Sequence, residues 1–465
     1  MDSWTSIVLA AGKGSRMKSS LPKVLHKVAG LPLVLHAVCA ASSVHPLTPM
    51  VISSPDNSDL LKDILGPEYK CINQPEALGT GHALATGLIA VDHDVRHIVV
   101  INADVPLVKP ETVEALALHH ESTDAKITLL TCASEMMPQQ QVGIVHRAPF
   151  GNALKILEHP EYRNINLPIY EINVGVYAFD AEWLRSVISD LKVHPNGEYN
   201  LTDLIELASK RDEKIECYAT LDVSESLSVN TKLDLSDAET AAQERLRISA
   251  LESGVTLLDR ATVYFDMTAS VSADVTIHPN TSIIGSTVIE SGAVIGPNTR
   301  IVDSMIGPNV VIDNSVVDNS TLEEGSHVGP YSHIRPGTVV SENAYIGSHV
   351  EIKASHIGRD THVGHFCYIG DSSIGNEVNI GAGVVTCNFD GSEKHITEIE
   401  NNAFIGSDSL LVAPVKVGRG AMTAAGAVVT RDVPANTRVS GIPAKKMSKS
   451  SSLKLLSKKE RDTLG

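Results

Sequence analysis

From Val363 to Gly383 an aliphatic residue followed by glycine recurs as Val363-Gly364, Ile369-Gly370, Ile374-Gly375 and Ile380-Gly381, at steps of six, five and six residues. The step is too short for a helical repeat and predicts a parallel β-helix. Each unit is a short strand plus a tight turn, and three units close one triangular coil, with the aliphatic side chain inside and glycine where the backbone bends. One coil alone cannot bury its apolar face, so several must stack. The pattern begins upstream with Val275, Ile277, Ile283, Val288, Ile295, Ile301, Ile306 and Ile312 and runs to about Val439. One insertion, Thr386 to Ile399, interrupts it and is expected to project.

The first half has a different rhythm. Apolar runs at Ser6 to Ala11, Pro49 to Ser53 and Ile98 to Ile101 alternate with helical stretches near Asp59 to Leu65 and after Gly79 to His82, which predicts a parallel α/β sheet. Between the halves, Leu233, Leu235, Ala238, Ala242, Leu246 and Leu251 predict one amphipathic connecting helix from Lys232 to about Ser253. The expected division is an α/β domain at 1–232, a linker helix at 233–254, a β-helix at 255–444 and a basic, mobile tail at 445–465.

Aromatics make up only 4% of the 465 residues, which suits thin aliphatic cores. The net charge of −17 argues against a nucleic-acid partner, so any anion site must be a local cationic cluster. Six separated cysteines without a C-x-x-C pair suggest neither zinc nor a disulfide scaffold. No leader pattern or membrane span is evident, and the protein reads as cytoplasmic.

Two stretches carry candidate chemistry. The first strand runs into Gly12-Lys13-Gly14-Ser15-Arg16-Met17, whose backbone amides suit phosphate, with Arg16 and Lys23 as cations able to face a phosphorus under attack. The loop fits neither the Walker nor the dinucleotide pattern, and by itself it reads equally well as a solvated loop. Asp104, just beyond Ile98 to Ile101, is either a magnesium ligand or a turn aspartate. On the repeats, Arg335 and Lys353 suit a sugar phosphate or simply solvate the outer face. Six histidines fall between His327 and His365, and the pair His362 and His365 lacks the further ligands a metal site needs. His365 is either a structural turn residue or a general base for an attacking amine.

Leu9 to Met17, Pro22-Lys23, Leu78 to His82, Asp104 to Leu107, Glu171 to Asn173 and Gly197 to Tyr199 follow in the order found in the bifunctional GlmU family, which the chain resembles over nearly its whole length. The resemblance implies a Rossmann-like α/β nucleotidyltransferase domain followed by a left-handed parallel β-helix of hexapeptide repeats. It also implies acetyl transfer from acetyl-CoA to glucosamine-1-phosphate, then uridyl transfer from UTP to N-acetylglucosamine-1-phosphate with release of pyrophosphate, by a magnesium-dependent homotrimer. By the same resemblance Leu9, Ala10, Ala11, Gly12, Lys23, Gln74, Gly79 and Thr80 hold the uracil nucleotide, with Asn102 and Ala103 beside them. Asp104 and Asn230 hold the metal, and Gly143, Glu158 and Asn173 contact the sugar. Arg335, Lys353, Tyr368 and Asn379 match glucosamine-1-phosphate contacts, His365 the catalytic base, and Glu351 a weaker electrostatic support. Ala382, Asn388, Phe389, Ser407 and Ala425 match acetyl-CoA contacts.

The chain departs from the family at Ala103, where a methyl is expected to intrude on a close backbone contact, at Val142, which lacks an aromatic edge, and at Phe389, which lacks a hydroxyl. Gly441 stands where many members carry Arg, leaving Lys445 or Lys446 to meet the anionic end of coenzyme A. These departures keep three alternatives open: a monofunctional acetyltransferase with an impaired first domain, a related nucleotidyltransferase of other sugar specificity, and a non-catalytic scaffold.

Overall fold

The computed structural model describes residues 3–45, 48–135, 142–148, 151–159, 161–162 and 167–447, which fall into two compact units, Met1–Glu244 and Arg245–Gly465. The first is built on a nine-stranded sheet: β1 Trp4–Leu9, β2 Met50–Ser53, β3 Cys71–Asn73, β4 His97–Asn102, β5 Ile127–Ser134, β6 Gly143–Arg147, β7 Ala153–Leu157, β8 Tyr170–Asp180 and β9 Ile215–Thr220. The main order is β9-β5-β8-β4-β1-β2-β3, and β8 runs antiparallel to both neighbours. Alternation along β1 sends Trp4 and Val8 into one core and Ile7 and Leu9 into the other. Helices Leu33–Ala41 and Pro110–Thr123 fill the first core, while Thr80–Leu88, Ala181–Val187 and Asp203–Lys210 fill the second. Between β1 and β4 the strand order reverses, and such a switch point opens a crevice at the carboxyl ends of the strands.

The connecting helix, Lys232–Glu252, differs from the expected stripe: Leu233 and Leu251 are exposed, whereas Asp234, Gln243 and Arg247 are buried beside Ala238 and Ala242. Polar anchoring replaces the missing apolar contacts. Asp234 accepts from the Thr231 N–H at 2.7 Å while the Thr231 hydroxyl accepts from the Asp234 N–H at 3.2 Å, a reciprocal cap. Arg247 donates from Nε to the Val263 carbonyl at 2.7 Å and lies over the Tyr264 ring. The division between the units falls within this helix rather than at its ends.

The second unit is a β-helix with sheets of 12, 10 and 9 strands on its three faces, parallel throughout except for the last strand of the first. Most strands send one side chain inward, such as Ile277, Ile295, Ile312, Val328, Ile346, Val363 and Ile380 on the first face. Val288 is only half-buried, because alternation in its two-residue strand points Ile289 inward instead. The bends are shared between glycines and Asn or Asp: Asn280, Asn298, Asn314, Asp360 and Asp371 are among the residues in the left-handed region, which these side chains tolerate. The glycines of the repeating pair have another role. A Cβ on Gly381 would lie 2.5 Å from the Ser407 nitrogen, and one on Gly364 2.9 Å from the Ala382 nitrogen, so these glycines let consecutive coils stack. The projecting insertion is narrower than expected, at 388–396, since Thr386 and Thr397–Ile399 remain in strands. Lys445–Lys446 is not tail but an exposed antiparallel strand on Val439 and Ser440, and the expected tail beyond Met447 lies outside the described residues. Among the described residues no helix is long and apolar enough to cross a membrane.

Candidate functional site

In the first unit the switch-point crevice is a cavity of about 740 Å³. Leu9, Ala11, Gly12, Arg16, Lys23, Gln74, Gly79, Thr80, Asn102, Asp104 and Asn230 line it. Its floor is set by the ends of β1 and β4, where the Ala103 N–H donates to the Leu9 carbonyl at 3.0 Å. Gly14 adopts φ 62°, and a Cβ there would lie 2.5 Å from the Lys23 Cβ, so only glycine lets the loop approach that lysine. Lys23 Nζ lies 2.7 Å from Asp104 Oδ2 and donates to Asn230 Oδ1 at 3.1 Å. Arg16 Nη2 donates to the same Asn230 oxygen at 3.0 Å. Two cations and two oxygen donors thus converge at the carboxyl edge of the sheet.

The opposite wall is positioned by the segment around Tyr199. The Tyr199 N–H donates to Leu78 and its carbonyl accepts from Gly81, both at 2.8 Å, while the Thr80 hydroxyl accepts from the Leu201 N–H at 3.0 Å. Gly79, at φ 93°, is required here because a Cβ would lie 2.6 Å from the Tyr199 carbonyl oxygen. Gln74 is buried, and its Nε2 donates to the Gly79 carbonyl at 3.2 Å and to His82 Nδ1 at 2.8 Å. Lys13, Asn196, Glu198 and Asn200 also line the cavity and were not singled out from the sequence. For Asn196, Glu198 and Asn200 the signal was Gly197-Glu198-Tyr199, a motif whose place opposite Gly79 is set only by folding, while Lys13 lies in the glycine loop itself.

Ala10, Ala103, Gly143, Glu158 and Asn173 do not line the cavity. Ala103 and Val142 are buried in the apolar core, and neither lines the cavity. Asn173 donates from Nδ2 to the Tyr177 hydroxyl at 2.7 Å, leaving Oδ1 buried without a partner among the described residues. A Cβ on Gly143 would lie 3.6 Å from that Nδ2. Burial pushes the Glu158 carboxyl above its ordinary value, although the Thr202 hydroxyl donates to it at 3.0 Å.

The second unit carries a separate constellation at the corner between its 12- and 10-stranded faces. Close approaches of Gly347 to His365, Gly364 to Ala382, Gly381 to Ser407 and Gly406 to Ala425 stack Ser348, His365, Ala382, Ser407 and Ala425 in one column. His365 Nδ1 accepts from the Ser348 N–H at 3.2 Å and lies 3.1 Å from the Ser348 hydroxyl. On the adjoining faces Glu351 is in register with Tyr368, and Asn379 with His362. His362 does not share the corner with His365: it lies on a strand, its ring 5.7 Å from that of Tyr345. Glu351 accepts from Arg335 Nη1 at 2.6 Å.

The insertion folds back toward this face. Asn388 Nδ2 donates to Asp371 Oδ2, and Phe389 bridges Lys394 across the loop with its ring exposed. The Lys394 ammonium beside Lys353 holds that lysine below its ordinary value. Lys394 was visible in the insertion but its pairing with Lys353 was not, because the loop's return path is a tertiary feature. Two like-charged groups held together in this way are relieved by a bound anion.

A family model for the MobA-like NTP transferase domain matches residues 6–166, and one for the bacterial transferase hexapeptide (six repeats) matches 319–354, in keeping with the left-handed turn of that repeat class. Among curated proteins, the "Bifunctional protein GlmU" of Heliobacterium modesticaldum is 41% identical over 93% of this chain and 94% of its own length. Those of Shouchella clausii and Streptococcus equi subsp. zooepidemicus are each 39% identical, over 92% and 93% of this chain and 94% of their own lengths.

Proposed function

The chain belongs to the GlmU family of bifunctional proteins, and from that premise we propose how its two sites divide the work. It is an enzyme with a nucleotidyltransferase domain and a hexapeptide acetyltransferase domain. In our reading the β-helix acetylates glucosamine-1-phosphate from acetyl-CoA, and the α/β unit then transfers uridylate from UTP to N-acetylglucosamine-1-phosphate. The observation that supports this most directly is the presence of two unlike constellations on two separate units, one suited to phosphate chemistry and one to an amine and an anion.

For uridyl transfer, a sugar-phosphate oxygen attacks the α-phosphorus of UTP and pyrophosphate leaves, so the protein must position and neutralise rather than form a covalent bond. Asp104 Oδ2 and Asn230 Oδ1 share one ammonium at 2.7 and 3.1 Å, and this pair of hard oxygens suits Mg²⁺, which takes few protein ligands and keeps places for phosphate and water. When bound, the ion supplies charge neutralisation at the phosphates. Lys23 and Arg16 hold the triphosphate from the same side, the glycine loop offers backbone amides, and Gln74, fixed through its Nε2, addresses the base. Gly143, Glu158 and Asn173 are assigned to the sugar.

For acetyl transfer, Arg335, Lys353, Tyr368 and Asn379 hold the sugar phosphate, and the charge of Lys394 beside Lys353 supports assigning Lys394 to the same anion. Acetyl-CoA lies along Ala382, Ser407 and Ala425 and under Asn388 and Phe389. The amine attacks the thioester carbonyl, its proton goes to His365, and the carbon–sulfur bond breaks to release coenzyme A. A column open along one corner favours a homotrimer in which a neighbour completes the site, acting in the cytoplasm. Purified protein assayed for pyrophosphate release and for free-thiol release over a panel of sugar phosphates tests the whole reading. Failure of either activity on the glucosamine series overturns the corresponding half.

A further inference from the structure

His365 presents Nδ1, not Nε2, to Ser348 on the preceding coil. The Ser348 N–H can only donate, so Nδ1 carries the ring's lone pair, and in the neutral imidazole the proton sits on Nε2. A ring in that tautomer takes up a proton only at Nδ1. The approach to Nδ1 is occupied on the Ser348 side by the hydroxyl at 3.1 Å, a group that donates and accepts at once. Gly347 makes room for this arrangement, since a Cβ there would lie 2.8 Å from Nδ1.

We propose that Ser348 is a positioning and proton-relay residue for acetyl transfer: it fixes the His365 tautomer and passes the amine's proton to Nδ1 through its hydroxyl. The inference rests on the reading of His365 as the base. As the nitrogen–carbon bond forms, the amine proton moves to Ser348 Oγ while the serine's own proton moves to the lone pair of His365 Nδ1, which gives up its 3.2 Å hydrogen bond from the Ser348 N–H. The carbon–sulfur bond then breaks, the imidazolium gives its proton to the departing thiolate, and the serine hydroxyl is regenerated. Ser348 Oγ is therefore not acetylated at any stage.

The test compares Ser348→Ala, Ser348→Thr and His365→Ala in the full chain, with folding followed by thermal melting and uridyl transfer as an internal control. Ser348→Ala keeps the main-chain N–H and removes only the relay. It should lower kcat for acetyl transfer about 10- to 100-fold, less than the roughly 10²- to 10⁴-fold of removing a base outright, because His365 itself remains, with both KM values changed less than about twofold. Ser348→Thr, which restores a hydroxyl, should recover most of that loss. In mixed H₂O and D₂O the wild-type rate should bow with deuterium content, as expected for two protons in flight, and the Ser348→Ala rate should fall linearly. Wild-type kcat in Ser348→Ala alongside a loss of 100-fold or more in His365→Ala overturns the relay and leaves the base reading standing. A loss in Ser348→Ala that tracks unfolding, or that appears only in KM, also overturns it. An active His365→Ala removes the base reading and the relay together.

Discussion

Lys23 Nζ is 2.7 Å from Asp104 Oδ2 and shares Asn230 Oδ1 with Arg16, so one small volume at the sheet edge joins residues far apart in sequence. Asp104→Ala and Asn230→Ala should each abolish magnesium-dependent pyrophosphate release and leave free-thiol release within about twofold of wild type, because the affected groups lie in the first unit alone. Parallel assays on folded variants check this. Loss of both activities together would contradict two independent sites.

Lys23→Met removes the cation while keeping much of the stem, and it should raise the KM for UTP and lower kcat of uridyl transfer. The two carboxamide and carboxylate oxygens then lose their shared counter-charge. Titrating Mg²⁺ against each variant separates the roles: excess ion should not restore Lys23→Met, whose deficit lies in holding phosphate.

His365→Ala should lower acetyl transfer by roughly 10² to 10⁴ with little change in substrate binding, and uridyl transfer should be untouched. If the loss instead follows the thermal melting curve, His365 is a structural corner residue.

Gly358→Ala would bring a Cβ to 2.4 Å from the Gly375 carbonyl carbon and oxygen on the next coil. Backbone cannot give way as a side chain can, so the second unit should lose about 1–3 kcal/mol, read as an earlier melting transition. Pyrophosphate release by the first unit should persist.

The buried His120 ring, edge-on to Trp4 and to His97, accepts or donates at Nδ1 with the Thr128 hydroxyl at 2.8 Å. Burial first, then the neighbouring His97, lower its pKa to about 4 against the opposing pull of Asp180, with His119 and Lys126 adding to the shift. Above the ordinary value of 6.5 both folded and unfolded chains hold it neutral and its stabilising effect is complete. As pH falls from there toward 4, the unfolded chain takes a proton that the folded ring refuses, and stability is lost by up to roughly 3 kcal/mol. His120→Gln should narrow the difference in Tm of the first unit between pH 7.5 and pH 5.

The inward residues of the β-helix were legible because one period places every buried aliphatic, and Ile295, Ile301 and Ile312 behave as that period requires. The glycine beside each was legible as a marker but not in its role, since close approach between coils and left-handed bending both select glycine. The helix at Lys232–Glu252 misled because its burial follows hydrogen bonds of Asp234 and Arg247, which apolar periodicity does not register. Lys23 and Asp104 stood out singly, but nothing in the chain between them signals that they touch. Ser348 was invisible for a related reason: its importance comes from the coil above it.

The corner column also sets the metric by which this chain tolerates added length. Ala382 and Ser407 stack on successive coils although the 388–396 loop intervenes between them, because that loop leaves after one strand and returns in register before the next. Residues added at such an exit are absorbed outside the array, whereas one residue added within a strand turns every later side chain on that strand from inside to outside. Peptides spliced into the loop tip near Gly391, whose Cβ position meets nothing within 4 Å, therefore extend the chain without changing the spacing of the column.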